Sequence, residues 1–239
     1  MGHYGKGFGM EGISVSRMRE LDSKAVAAGT PVLELMERAG RECAKFIGGE
    51  FGEGKRILVF CGPGNNGGDG LVCARYLHKG NSVRICVVGE PKTPAAKGNL
   101  LRAKKAGVGI IAFGGDGEGA VAAGEAKADW KAALKELGEE LKSADMVVDA
   151  LLGVGAKLPL RGKMLDACRL INSSAGFAKP PKIVSIDVPT GMDADTGKTD
   201  YDAVAPDITI CMHAPKIGEL KAGERKTGRL VVADIGLGG

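Results

Sequence analysis

Ten residues, Cys61-Gly62-Pro63-Gly64-Asn65-Asn66-Gly67-Gly68-Asp69-Gly70, restrict what this chain can fold into more than any other stretch. They follow the apolar run Ile57-Leu58-Val59-Phe60 and lead into Leu71 to Leu77, whose apolar positions recur at helical spacing. The segment therefore reads strand, glycine turn, helix. Glycines at such a turn permit positive φ and close approach of a ligand, and the helix N-terminus offers unpaired N–H groups and partial positive charge, so an anionic guest fits. Gly62, Gly64 and Gly67 match G-x-G-x-x-G, which has little weight alone in a chain with 39 glycines. Asn65, Asn66 and Asp69 say more, because a turn built only for tight geometry has no need of three polar side chains at its tip.

Helix and strand patterns alternate around this centre. Ser16 to Ala28 and Val32 to Ile47 read as helices, the second with Thr30 as N-cap and Pro31 at its first position. After the turn come a strand at Ser82 to Val88, a helix at Pro94 to Ala106 and a strand at Val108 to Phe113. Gly114 to Lys127, rich in Gly, Ala and acidic residues, reads as a surface loop. The helix Trp130 to Lys142, the strand Met146 to Leu152, the helix Gly162 to Ile171 and the strands Ile183 to Val188, Ile208 to Met212 and Leu230 to Ile235 complete the series. This pattern predicts one α/β domain over residues 1–239: a doubly wound, mostly parallel, Rossmann-like sheet with helices on both faces and two extra N-terminal helices.

Composition narrows the function classes. A net charge of +4, from 33 basic and 29 acidic residues without a basic run, argues against nucleic acid as a partner. No apolar stretch reaches the roughly 18 residues of a membrane span, and Met1 to Glu11 lacks the apolar core of a secretory leader. Six cysteines, scattered with no C-x-x-C pair, suit a reducing, cytoplasmic setting.

In doubly wound sheets ligands gather at the carboxyl ends of strands. Three unusual segments fall there: the Asn-Asn-Gly-Gly-Asp turn, Asp149 followed by Gly153-Val154-Gly155, and Asp187-Val188-Pro189-Thr190-Gly191. Asp149 lies inside Met146-Val147-Val148-Asp149-Ala150-Leu151-Leu152, where an unpaired carboxylate is costly, so a cationic partner is expected for it. Asp69 also reads as a helix N-cap, and Asp187 as a turn residue. A Rossmann dehydrogenase would use Gly62, Gly64 and Gly67 with Glu90 for a ribose, but gives no reason for Asn65, Asn66, Asp69 or the Asp187 segment. A scaffold that acts through partners, or a nucleotide-binding regulator, could be built on the same fold.

Five motifs carry a resemblance. Leu35-Met36-Glu37-Arg38-Ala39-Gly40, Gly62 to Gly70, Val148-Asp149-Ala150-Leu151-Leu152-Gly153, Ser185-Ile186-Asp187-Val188-Pro189-Thr190-Gly191 and Ala214-Pro215-Lys216-Ile217-Gly218 resemble, in order and spacing, the YjeF N-terminal domain family of NAD(P)H-hydrate epimerases. The resemblance implies a repair enzyme that interconverts the R and S forms of hydrated NADH and NADPH for a stereospecific dehydratase. The dehydratase domain often fused to this family is not expected within these residues. A bound potassium ion is implied at Asn66, Asp149 and Thr190, and a homodimer through the N-terminal helices, where Val32, Leu35, Met36 and Phe46 form an apolar stripe. Implied substrate contacts are Asn65, Asn66, Gly67, Gly68 and Asp69, then Gly153, Val154, Gly155, Ala156, Lys157, Leu158 and Pro159, and Asp187, which is also the candidate acid–base group. The chain departs from the usual pattern at Val154, where threonine is common, and at Ala156, where a larger apolar residue is.

Overall fold

The computed structural model describes residues 11–113 and 130–237. Seven strands form one parallel sheet: β1 (Arg56–Cys61), β2 (Ser82–Val88), β3 (Gly109–Phe113), β4 (Met146–Ala150), β5 (Lys182–Ile186), β6 (Ile208–Met212) and β7 (Arg229–Ala233). Their order is β3-β2-β1-β4-β5-β6-β7. The chain builds outward from β1 to β3, then returns to pair β4 on the other edge of β1, so the direction of winding reverses between β1 and β4. A crevice at the carboxyl ends of those two strands follows from that reversal.

Helices α1 (Val15–Ala27) and α2 (Val32–Phe51) precede the sheet; α3 (Asn65–Leu77), α4 (Pro94–Lys105), α5 (Trp130–Ser143) and α6 (Gly162–Ser173) connect its strands. Side chains alternate across β1, so Ile57, Val59 and Cys61 join the apolar cluster that includes residues of α1, α2, α3 and α4, while Leu58 and Phe60 join the one containing residues of α5 and α6. Both faces are therefore buried, which is why the strands read as continuous apolar runs. Each large apolar side chain so buried contributes about 1.5–3 kcal/mol.

The sequence expectation differs from the structure in several places. The cap of α1 is Ser14, whose side chain accepts from Arg17 N, and Pro31 rather than Thr30 takes the N-cap position of α2, which leaves that helix without a side-chain cap, while Thr30 N donates to Ala25 O at the end of α1. Helix α3 begins at Asn65, so Asn65 to Asp69 form its opening rather than a preceding turn, and Asp69 lies a full turn inside the helix instead of capping it. Two short helices, α7 (Ile217–Ala222) and α8 (Glu224–Thr227), are too brief to show a period in the sequence. The expected loop at 114–127 and the leader up to residue 10 lie outside the described residues.

The apolar stripe of α2 is not free for a partner. Leu35, Met36 and Phe46 are buried in this chain's own core, against α3 and β7, and only Val32 stays exposed, at 44%. Gly40 makes that packing possible, since a Cβ there would sit 2.5 Å from Val72 Cβ and 2.6 Å from Asp69 O. The start of the chain is also tied to a segment near its end: Ile13 N donates to Pro215 O and Ile13 O accepts from Ile217 N. Gly40→Ala should force α2 away from α3 and lower stability by about 1–3 kcal/mol, read as a lower urea midpoint; an unchanged midpoint would mean the helices part freely.

Candidate functional site

A cavity of about 460 Å³ opens at the carboxyl ends of the central strands. Its walls come from Gly64, Asn65, Asn66 and Asp69 of the α3 opening, from the Gly153 to Ala156 loop after β4, and from Asp187 after β5. Met18 and Asp22 of α1, with Leu35 and Met36 of α2, close the remaining side. The two helices outside the alternation are thus a wall of the site.

Glycine sets the shape of the α3 opening. A Cβ on Gly67 would lie 1.8 Å from Gly62 O, and one on Gly62 would lie 1.9 Å from Leu151 O, so strand end, helix start and the β4 exit meet backbone to backbone. The helix has no side-chain cap at Gly64, which leaves the N–H groups of its first turn for a ligand. Asn66 is only 9% exposed, yet among the described residues neither its amide oxygen nor its amide nitrogen has a partner. Buried polar groups are normally paired, so an orphaned amide on a cavity wall marks a place for a ligand atom.

Asp149 is fully buried in β4, on the sheet face that packs against α6. The cationic partner expected for it is absent among the described residues. Four neutral donors surround it instead: Leu151 N at 3.2 Å and Thr190 Oγ1 at 2.7 Å on Oδ1, Ser185 Oγ at 2.8 Å and Thr190 N at 2.9 Å on Oδ2. Burial pushes its carboxyl above the usual range, with those hydrogen bonds pulling the other way. Thr190 Oγ1 also accepts from Leu152 N at 3.0 Å. These bonds draw the backbone out of the ladder, which is why β4 stops at Ala150 rather than at Leu152.

Strand β5 ends at Ile186, two residues sooner than expected, and Asp187 follows it with φ of 70°, an uncommon value outside glycine that clusters at functional sites. Its backbone N–H still pairs with Ile210 O at 2.8 Å, but its side chain turns to the cavity. There Oδ2 accepts from Val154 N at 3.1 Å and Oδ1 meets Lys216 Nζ at 2.6 Å. Lys216 is fully buried, and Glu219, buried beside it, accepts from Lys216 N at 2.6 Å and from Cys211 Sγ at 3.5 Å. Burial alone would lower the Lys216 ammonium, but Asp187 and Glu219 outweigh it and hold it above its ordinary value. Asp69 and Asp22 are both pushed up, first by burial and then by the Asp187 charge.

The structure thus brings together Asn65, Asn66, Asp69, Gly153, Val154, Gly155, Ala156 and Asp187 on one cavity. Gly67 and Gly68 lie behind it, packed on Gly62 and Met36. Lys157 and Pro159 are exposed and off the cavity, Leu158 packs with the α6 side of the core, and Asp149 and Thr190 sit beneath the floor.

Residues 32–218 match the family described as YjeF-related protein N-terminus. The chain belongs to the YjeF N-terminal family. It is 39% identical over 228 residues to a bifunctional NAD(P)H-hydrate repair enzyme of Archaeoglobus fulgidus, covering 95% of this chain and 42% of that protein. It is 36% identical over 228 residues to the NAD(P)H-hydrate epimerase of Rhodopirellula baltica, covering 94% and 84%. The crystal structure of the yeast protein ynu0 superposes with a TM-score of 0.73 at 26% identity, over 91% of this chain and 86% of that one. The chain therefore spans less than half the length of the bifunctional relative and most of the other two.

Within this YjeF N-terminal chain the sequence assigns no role to Asp22, Lys216 or Glu219. Asp22 has no visible signal, being one polar residue on an amphipathic helix. Lys216 could be sought as the counter-charge of Asp187, since it sits in the fifth motif, and Glu219 follows it at the three-residue spacing of a capping box. Burial raises the Glu219 carboxyl from 4.5 to about 7, against the opposing pull of Lys216. A folded-state value above the unfolded one means its contribution to stability is complete below pH 4.5 and lost as pH rises to about 7. Glu219→Gln should remove that loss: urea unfolding across this range should favour the variant over wild type by up to about 3 kcal/mol more at neutral pH than at acid pH. A difference that does not vary with pH would mean Glu219 stays charged when buried.

Proposed function

We propose that the chain is an NAD(P)H-hydrate epimerase, interconverting the R and S forms of hydrated NADH and NADPH. The observation that carries the reading is the orphaned Asn66 amide facing the same cavity as Asp187, in a chain of this family. Gly153 lies between them, since a Cβ there would sit 2.5 Å from Asp187 Oδ2 and 3.4 Å from Asn66. The cavity is polarised in a way that suits the substrate. The uncapped α3 N-terminus and Arg19, exposed at the mouth, favour a diphosphate. Asp22, Asp69 and Asp187 favour an electron-poor ring over a phosphate.

The chemistry needs one proton carrier. At C6 of the hydrated ring the carbon–oxygen bond breaks as the ring nitrogen lone pair forms an iminium, and the departing hydroxyl takes a proton to leave as water. Water then adds to the other face and returns a proton. In this reading Asp187 gives and retakes it, supported by its position on the cavity wall with two anchored oxygens, and its anion faces the cation formed between the two steps. Substrate contacts in this reading are Asn65, Asn66, Asp69, the Gly153 to Ala156 loop and Asp187. A separate dehydratase acting on the product, a homodimer and a cytoplasmic setting belong to the same reading, the dimer through family resemblance alone and the setting through six free, buried cysteines.

Potassium belongs to it too, held by Asn66, Asp149 and Thr190. The donor types suit such an ion, since all three side chains offer oxygen, Asn66 Oδ1 is unpartnered among the described residues and the donors to Asp149 are all neutral, so an ion there would compete with the hydrogen bonds that now hold Asp149. Bound there, the ion would supply positive charge beneath a cavity lined by carboxylates.

Two measurements test these assignments. Purified protein added with a stereospecific dehydratase to mixed R and S hydrates should consume the slow epimer faster than its spontaneous conversion, and Asp187→Asn should lose about 10²- to 10⁴-fold of that rate while still binding a dinucleotide. Spontaneous-rate consumption with wild type would reject the activity. Thermal stability should rise when sodium is replaced by potassium at constant ionic strength, and Asp149→Asn should not respond; equal responses would remove the ion.

A further inference from the structure

Behind Asp187 lies a charged group that never touches the cavity. Lys216 is fully buried and absent from the cavity wall, yet its Nζ is 2.6 Å from Asp187 Oδ1. Its remaining hydrogens go to two backbone carbonyls, Met212 O at 3.2 Å and Ala214 O at 3.3 Å. Three acceptors for three N–H groups fully satisfy the ammonium. The residue between those carbonyls, His213, has φ of 63°, so a rarely populated turn presents both acceptors. The Lys216 backbone is fixed in turn by Glu219.

We propose that Lys216 is the positioning residue of the reaction: it fixes the Asp187 carboxylate by one oxygen while Val154 N–H fixes the other. Free rotation of a carboxyl group would move the proton carrier away from the reacting carbon, and two anchors on different oxygens prevent it. The cation also supports the Asp187 anion at the moment the substrate ring is positive, when Asp22 and Asp69 on the same cavity would otherwise repel it. This inference rests on the epimerase reading above.

The test is a kinetic double-mutant cycle of Lys216→Met and Asp187→Asn in the coupled assay. Lys216→Met should lower kcat about 10²-fold, within the range typical of lost acid–base help, with KM changed less than about threefold. In the Asp187→Asn background the same change should cost little more, because Lys216 acts through Asp187. Should Lys216→Met alone fail to fold, the double variant removes both charges at once, and its kcat against that of Asp187→Asn decides. A Lys216→Met enzyme at wild-type kcat, or a double variant at least about tenfold below Asp187→Asn, overturns the proposal while leaving the activity standing. A wild-type protein without epimerase activity overturns both.

Discussion

Asp149 is an ionisable group fully buried in the middle of a parallel sheet, and the arrangement around it sets the spacing of the two strand exits that carry Asp187 and the Gly153 to Ala156 loop. A carboxylate in that position is tolerated only with its lone pairs engaged, and here Ser185, Thr190 and the Leu151 N–H engage all four. Ser185 belongs to β5 and stands beside Asp149 in register. Thr190 belongs to the segment after β5, and its hydroxyl also holds Leu152 N. One buried group therefore ties the exit of β4 to the exit of β5. Asp187 and the Gly153 to Ala156 loop lie on those two exits, so their spacing is inherited from a contact beneath them.

Above that tie the cavity combines N–H donors with carboxyl groups. The α3 opening presents backbone N–H groups because Gly62 and Gly67 let three backbones meet without side chains between them. Asp22 of α1 and Asp187 after β5 present carboxyl groups on other walls, the second paired from behind with Lys216, and Asp69 adds a third one turn into α3. An elongated ligand with a phosphate end meets N–H donors at the first turn of α3 and carboxyl groups elsewhere on the walls. A Rossmann dehydrogenase would need the first feature and not the second, which is why the glycine pattern alone is a poor guide to the chemistry.

Much of this is legible in the sequence, for identifiable reasons. Parallel strands buried on both faces leave continuous apolar runs, and Ile57 to Phe60 and Ile208 to Met212 stand out accordingly. Polar residues that interrupt or end such runs stand out as well, which is what marks Asp149 and Asp187. The sequence does not show that Asn65 to Asp69 start a helix, because two glycines in the first turn suppress helical periodicity, yet tight contact with Gly62 and Met36 holds them helical. Strands β4 and β5 look longer in sequence than they are, because apolar Leu151, Leu152 and Val188 continue the pattern while their backbone leaves the ladder for other acceptors. Asp22 and Glu219 sit on helices whose polar residues look solvent-facing in sequence; only the path of the chain turns them inward.

The pairing of Ile13 with Pro215 and Ile217 sets an order of events. Two segments some 200 residues apart in sequence must meet before α1 can lie against the cavity, and the same meeting places the backbone on either side of Lys216. Contacts between such distant segments carry a large closure entropy and form after local ones. The α1 wall of the cavity and the backbone around Lys216 behind Asp187 are thus completed by one and the same pairing.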